Sequence, residues 1–264
     1  MSDSPHDLVL AERRSAVGLL TINRPKTLNA LNIETLLALE AALTRFEQDS
    51  EVRVIVITGA GDKAFVAGGD IADLDSRQGL AHYQEFAEVI HRVFRRFEVC
   101  DKPTIGAING WALGGGTELL LTLDIRLVAE EAKLGLPEIT LGLFPGAGGS
   151  QRIIRQIPLC RAKELMFTGD QITAQEAVTL GLANRTVARA ALLDESMALA
   201  NRIAEKSPMT LKLLKRTLRD GADMPMSAAI AHEQAMIGLV LDSADAHEGC
   251  RAFLEKRRPQ FTGR

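Results

Sequence analysis

The chain has 264 residues, of which 46% are hydrophobic and 25% charged, and a formal net charge of −3. That is ordinary globular composition, long enough to bury a large core unaided, and the slight acidity argues against a nucleic-acid partner. No apolar run approaches membrane-spanning length, because Asp124 interrupts the apolar residues around it, so no membrane partner is expected.

Cys100, Cys160 and Cys250 are far apart and odd in number. They fit neither a zinc spacing nor a disulfide framework and read as reduced thiols of a cytoplasmic protein. The opening residues 1–7 have neither a basic nor an apolar region, so no secretory signal is expected there.

In chain order, residues 8–11 and 17–23 are strand-like, with a hairpin around 13–16. Asn32 caps a predicted helix running to about Gln48, with Ile33, Leu36, Leu37, Leu43 and Phe46 along one side. Residues 52–58 form a β-branched run ending at Gly59, the pattern of a strand buried on both faces. A loop is expected over 60–74, a helix over 80–98, a strand over 103–108 and a turn at Asn109-Gly110. Gly114, Gly115 and Gly116 open a short helix to about Thr122, and residues 125–129 form another strand. The alternation predicts α/β architecture with mostly parallel pairing.

After Gly148 the pattern turns helical. Thr173-Ala-Gln-Glu176 matches a capping box, and a short strand spans 183–187. Helices are predicted over 190–206, 209–219, 226–241 and 244–256, with Ser207-Pro208 as cap and first helical residue. Residues 1–190 thus read as an α/β core and 191–264 as a C-terminal helical region, with no linker or internal repeat between them.

Two glycine segments stand out, residues 65–70 and 113–118, each after a predicted strand. If their N–H groups converge they form an oxyanion hole, in which one donor is worth ~3 kcal/mol. For a single glycine the alternative is a tight turn or close packing. Glu118 lies in an apolar helix start, where its alternative role is to complement the helix dipole. Glu138 follows Pro137, where its alternative is a solvated loop acid. Two buried acids would have raised pKa values suited to proton transfer near neutrality.

Other chemistries find no support. Ser150 has no glycine two residues after it, so it is not on a nucleophile elbow. His6, His82, His91, His232 and His247 make no metal-binding spacing, and neither a GxGxxG unit nor a P-loop lysine is present.

Five ordered segments, 23–32, 63–71, 109–118, 136–152 and 168–177, together resemble the enoyl-CoA hydratase/isomerase, or crotonase, family from end to end. The resemblance implies a crotonase-like spiral of ββα units with a C-terminal helical oligomerisation region that builds homotrimers, usually paired into homohexamers. It implies an acyl-CoA substrate, no separate cofactor and no metal, with the thioester carbonyl held by the N–H groups of Gly69 and Gly115. Glu118 would deprotonate water for attack at C3, and Glu138 would give a proton to C2. Having both acids, the chain most resembles a 2-enoyl-CoA hydratase; a Δ3-Δ2-enoyl-CoA isomerase, a specialised hydratase or lyase, and a noncatalytic acyl-CoA-binding oligomer are the alternatives. CoA contacts are expected at Leu28, Ala67, Asp70 and Ile71, with Arg24, Lys26 and Lys63 near the phosphates and Phe253 and Lys256 reaching a neighbouring subunit's site. Gly69 stands where many members have alanine and Thr117 where cysteine is frequent, adding a hydroxyl beside Glu118.

Overall fold

The computed structural model describes residues 8–76 and 79–264. The expectation about a leader in residues 1–7, His6 included, and the side chain of His82 lie outside the described residues. The chain opens with the expected antiparallel hairpin, β1 (Val9–Arg14) and β2 (Val17–Ile22). Helix α1 (Ile33–Gln48) starts at Asn32, whose side chain accepts the Thr35 N–H. Leu36, Leu43 and Phe46 point into the core as expected, whereas Leu37 is exposed.

From there strands come in pairs, one for each of two sheets. β3 (Val54–Gly59) and β4 (Ala64–Val66) lead into the short helix α2 (Ile71–Asp75), α3 (Gly79–His82), a π-helical turn (Tyr83–Ala87) and α4 (Glu88–Val99). β5 (Thr104–Ile108) and β6 (Trp111–Leu113) lead into α5 (Gly115–Leu120). β7 (Ile125–Ala129) and β8 (Lys133–Gly135) lead into a 3-10 segment (Pro137–Leu141) and α6 (Gly149–Ile153). After α7 (Leu159–Thr168) come β9 (Gln171–Thr173), α8 (Ala174–Thr179) with its reciprocal Thr173–Glu176 capping box, and β10 (Arg185–Val187).

The first strands of these pairs, with the opening hairpin and β10, build a six-stranded sheet in the order β1-β2-β3-β5-β7-β10, parallel except for the opening hairpin. The second strands, with β9, build a four-stranded sheet in the order β4-β6-β8-β9, parallel except for β9. Each β-strand–β-strand–helix turn therefore advances both sheets together. The chain crosses from one sheet to the other through tight connections. Gly110 makes one of them possible, since a Cβ there would stand 2.2 Å from the Lys63 carbonyl oxygen.

The sequence patterns missed the smaller sheet entirely. Each of its strands has only three residues, too few to show a period, and residues 60–74 accordingly read as loop. Helices α9 (Arg189–Ala204), α10 (Pro208–Gly221), α11 (Met226–Leu241) and α12 (Ala244–Leu254) complete the chain close to their expected bounds. The expected division near residue 190 falls at the start of α9, whose Leu192, Ala200 and Ala204 join the main core cluster. By contrast α11 has no buried residue, although it is the most apolar of the long helices.

Candidate active site

The smaller sheet positions the site. β4 ends in the segment of Gly68 and Gly69, and β6 ends at Gly114 and opens α5. The two segments touch: a Cβ on Gly115 would stand 3.5 Å from the Gly69 nitrogen. Gly116 lets them approach, because a Cβ there would stand 2.0 Å from the Val66 carbonyl oxygen. Leu31 bridges this strand end in parallel register, donating to the Gly68 carbonyl at 2.8 Å and accepting the Asp70 N–H at 2.8 Å. That pairing turns the intervening Gly69 N–H to the other side. Gly115 is the first residue of its helix, so its N–H has no intrahelical acceptor. Among the described residues neither N–H has a backbone acceptor, and the two segments meet at the positive end of α5.

A cavity of about 330 Å³ opens against them, lined by both glycines, by Glu118 and Glu138, and by an apolar wall that includes Ile71, Leu74, Phe86 and Ile90. Glu118 is buried; its Oε1 accepts the Ala147 and Gly149 N–H groups, each at 2.8 Å. Burial raises its pKa, opposed by those two N–H groups and by the charge of Arg152. Beyond its place at the start of α5, the Glu118 carboxylate is anchored by these two donors. Glu138 enters from the 3-10 segment, and no other described residue donates a hydrogen bond to either of its carboxylate oxygens. Burial pushes its carboxyl up to about 7; its own backbone N–H opposes the rise and the negative charge of Glu118 adds to it. A Cβ on Gly114 would stand 3.2 Å from Glu138 Oε1, so the missing side chain there leaves room for the second acid.

Thr117 faces away from this chemistry: its hydroxyl donates to the Ala112 carbonyl at 2.6 Å and accepts the Gly135 N–H at 3.2 Å, tying α5 to β6 and β8. Among the described residues no group of His, Cys, Asp and Glu is arranged to hold a metal ion.

The segment 24–30 folds over the edge of the site. Asn29 is buried with φ of 58°; its Nδ2 donates to the Ala60 and Ala64 carbonyls at 3.0 and 2.8 Å, and its Oδ1 accepts the Arg24 N–H at 2.9 Å. Ala67 donates to the Leu28 carbonyl at 3.1 Å. Arg24 pairs with Asp70 at 2.9 Å and also donates to the Ala30 carbonyl. Arg24 and Asp70 thus clamp two segments together, a pairing the separate expectations for them did not include. Lys26 and Lys63 are exposed beside this edge, and Ile71 and Ala67 line the cavity. Phe253 lies in the last turn of α12 and Lys256 just beyond it, both exposed and outside the cavity lining. The groups that sequence reasoning missed are the Ala147 and Gly149 N–H donors. Their signal was the glycine cluster at 146–149, which showed a close backbone approach but not to what.

The family described as enoyl-CoA hydratase/isomerase matches residues 12–264. The short-chain-enoyl-CoA hydratase of Clostridium acetobutylicum is 39% identical over 95% of this chain and 95% of its own length. The crotonyl-CoA hydratase of Syntrophomonas wolfei is 41% identical over 97% of this chain and 98% of its own. A crystal structure of an enoyl-CoA hydratase from Bacillus anthracis superposes with a TM-score of 0.94 at 36% identity, covering 97% of this chain and all of that one.

Proposed function

The chain belongs to the enoyl-CoA hydratase/isomerase family, and from that premise we propose that its cavity hydrates 2-enoyl-CoA thioesters to 3-hydroxyacyl-CoA. The observation that carries the proposal is the convergence of two glycine N–H groups, the buried Glu118 and the half-buried Glu138 on one apolar cavity. The Gly69 and Gly115 N–H groups receive the thioester oxygen and stabilise the charge that builds there as C3 is attacked. Glu118, held by Oε1, takes a proton from water through its other oxygen while the water oxygen bonds to C3. The electrons of the C2=C3 bond move into the enolate. Glu138, protonated over part of its population near neutral pH, delivers a proton to C2 and the carbonyl re-forms; after product leaves, Glu118 gives up its proton and Glu138 regains one through solvent, which restores the starting state. The reaction so written needs no cofactor, since protein groups supply both proton transfer and charge stabilisation.

The acyl group lies against Ile71, Leu74, Phe86 and Ile90, a surface suited to a short aliphatic chain. The Arg24–Asp70 clamp shapes the CoA edge, where Leu28 and Ala67 offer backbone and Lys26 and Lys63 offer exposed charge to phosphates. The protein works as a homotrimer or a homohexamer in the cytoplasm; in support, the apolar helix α11 is uncovered in the single chain and the cysteines are unpaired. Phe253 and Lys256 then serve a neighbouring subunit's site.

The test is the loss of the conjugated thioester chromophore with crotonyl-CoA. Glu118→Gln and Glu138→Gln should each lower kcat at least ~100-fold with CoA binding retained. Near-parental hydration by either variant would sink the assignment.

A further inference from the structure

Glu118 is seated by two N–H groups of a glycine-rich loop, and something must hold that loop. Arg152, on α6, does so from behind. Its Nη1 donates to the Ala147 carbonyl at 3.1 Å, while the N–H of the same Ala147 donates to Glu118. Its Nη2 and Nε face the two oxygens of Glu98 at 3.2 and 3.4 Å. Gly148, with φ of 95°, leaves the space the guanidinium fills; a Cβ there would stand 2.1 Å from Nη1. The Arg152 side chain is mostly buried, with 16% of its surface exposed, so this contact is shielded from competing water. Glu98 reaches in from α4, and Arg95 donates to its Oε2 at 2.7 Å. Burial opposes ionisation of Glu98, but the hydrogen bonds from Arg152 and Arg95 hold its pKa below the usual carboxylate range.

We propose that Arg152, fixed by Glu98, is a positioning residue for hydration, locking the 145–149 loop so that its N–H groups aim Glu118 at the attacking water. The inference rests on the hydratase reading. A planar fork is needed for it: a guanidinium spans a carbonyl and a carboxylate at once, and an ammonium does not. The charges that face Glu118 are Glu138 from the 3-10 segment and Arg152 from α6, with Glu98 and Arg95 behind the arginine. Arg152 favours the ionised, basic form of Glu118, and Glu98 partly offsets that charge.

The two partners therefore have opposite electrostatic effects, which separates positioning at the site from a plain loss of structure. The experiment measures kcat, KM and the pH profile of kcat/KM with crotonyl-CoA for Arg152→Gln, Arg152→Lys and Glu98→Gln, with circular dichroism and CoA binding on each. Arg152→Gln should lower kcat ~10- to 100-fold with KM within ~3-fold, and should move the acidic limb to higher pH. Glu98→Gln keeps an acceptor for Arg152 but leaves its charge uncompensated, so the acidic limb should move to lower pH. Arg152→Lys should retain the limb position and fail to restore kcat. Should Arg152→Gln not fold, the other two variants decide. Parental kcat in Arg152→Lys, or acidic limbs that do not move apart, would overturn the proposal. If the parent itself does not hydrate crotonyl-CoA, or Glu118→Gln remains active, it is the hydratase reading that fails.

Discussion

Glu118 Oε1 accepts the Gly149 N–H at 2.8 Å, and a Cβ on Gly149 would stand 2.6 Å from Cγ of the same glutamate. The glycine is needed twice over, once as a bare donor and once as a vacant volume. The same logic recurs at Gly114, where the absent side chain makes room for Glu138. The two acids are thus placed by glycines on the elements they face, not by their own helices alone.

Alanine at position 149 should therefore displace the base. We expect Gly149→Ala to lower kcat at least ~10-fold, by the loss of a near-attack geometry. Gly146→Ala is the control, since its Cβ would meet only the Phe144 carbonyl oxygen, at an ordinary 3.6 Å. Equal rates for the two variants would show that the close approach at Gly149 is unimportant.

Burial of Glu138 links stability to pH. Its pKa rises from an ordinary 4.5 to about 7, so the folded state holds the proton more firmly than the unfolded chain. The stabilisation is fully present below about 4.5 and is lost as pH rises through about 7. Glu138→Gln, always neutral, should raise Tm over the parent by about 2–4 °C at pH 8 and by less at pH 5. A Tm difference independent of pH would contradict the buried, unpartnered carboxyl. In Glu118→Gln the Glu138 pKa should fall, which a carbon-13 carboxyl titration reads directly.

Arg24 and Asp70 act as one clamp. Arg24→Gln and Asp70→Asn should each raise KM for acyl-CoA ~3- to 10-fold, and the double variant should raise it little further, because partners in one interaction are not additive. A direct phosphate contact by Arg24 predicts the opposite pattern, with Asp70→Asn leaving KM unchanged.

We expect the apolar wall of the cavity to discriminate by charge. Among the described residues no lysine or arginine lines the cavity, and Glu118 and Glu138 both face it. A 2-enoyl thioester ending in a carboxylate should have kcat/KM at least ~10-fold below that of an aliphatic one of equal length, since the carboxylate would lose hydration without gaining a partner. Equal values for the two would show that the chain end remains in water.

Much of this molecule was legible in its residues. The hairpin, the Asn32-capped helix, the five longer strands of the large sheet and the four final helices announced themselves through apolar runs, periodic patterns and caps. Glu118 and the two glycine segments stood out as candidates, because a glutamate in an apolar run and a glycine cluster after a strand are costly unless used. What stayed hidden was the three-stranded parallel part of the smaller sheet with β9 beside it, because three-residue strands carry no period. That sheet exists only by pairing of segments distant along the chain, and it is the sheet that brings Gly69 to Gly115. The partners of Glu118 at Ala147 and Gly149, the Glu98–Arg152 brace and the Arg24–Asp70 clamp are likewise tertiary decisions. Sequence determined which groups were available for chemistry; long-range hydrogen bonding and close packing decided which of them face one another, since those contacts join residues tens of positions apart.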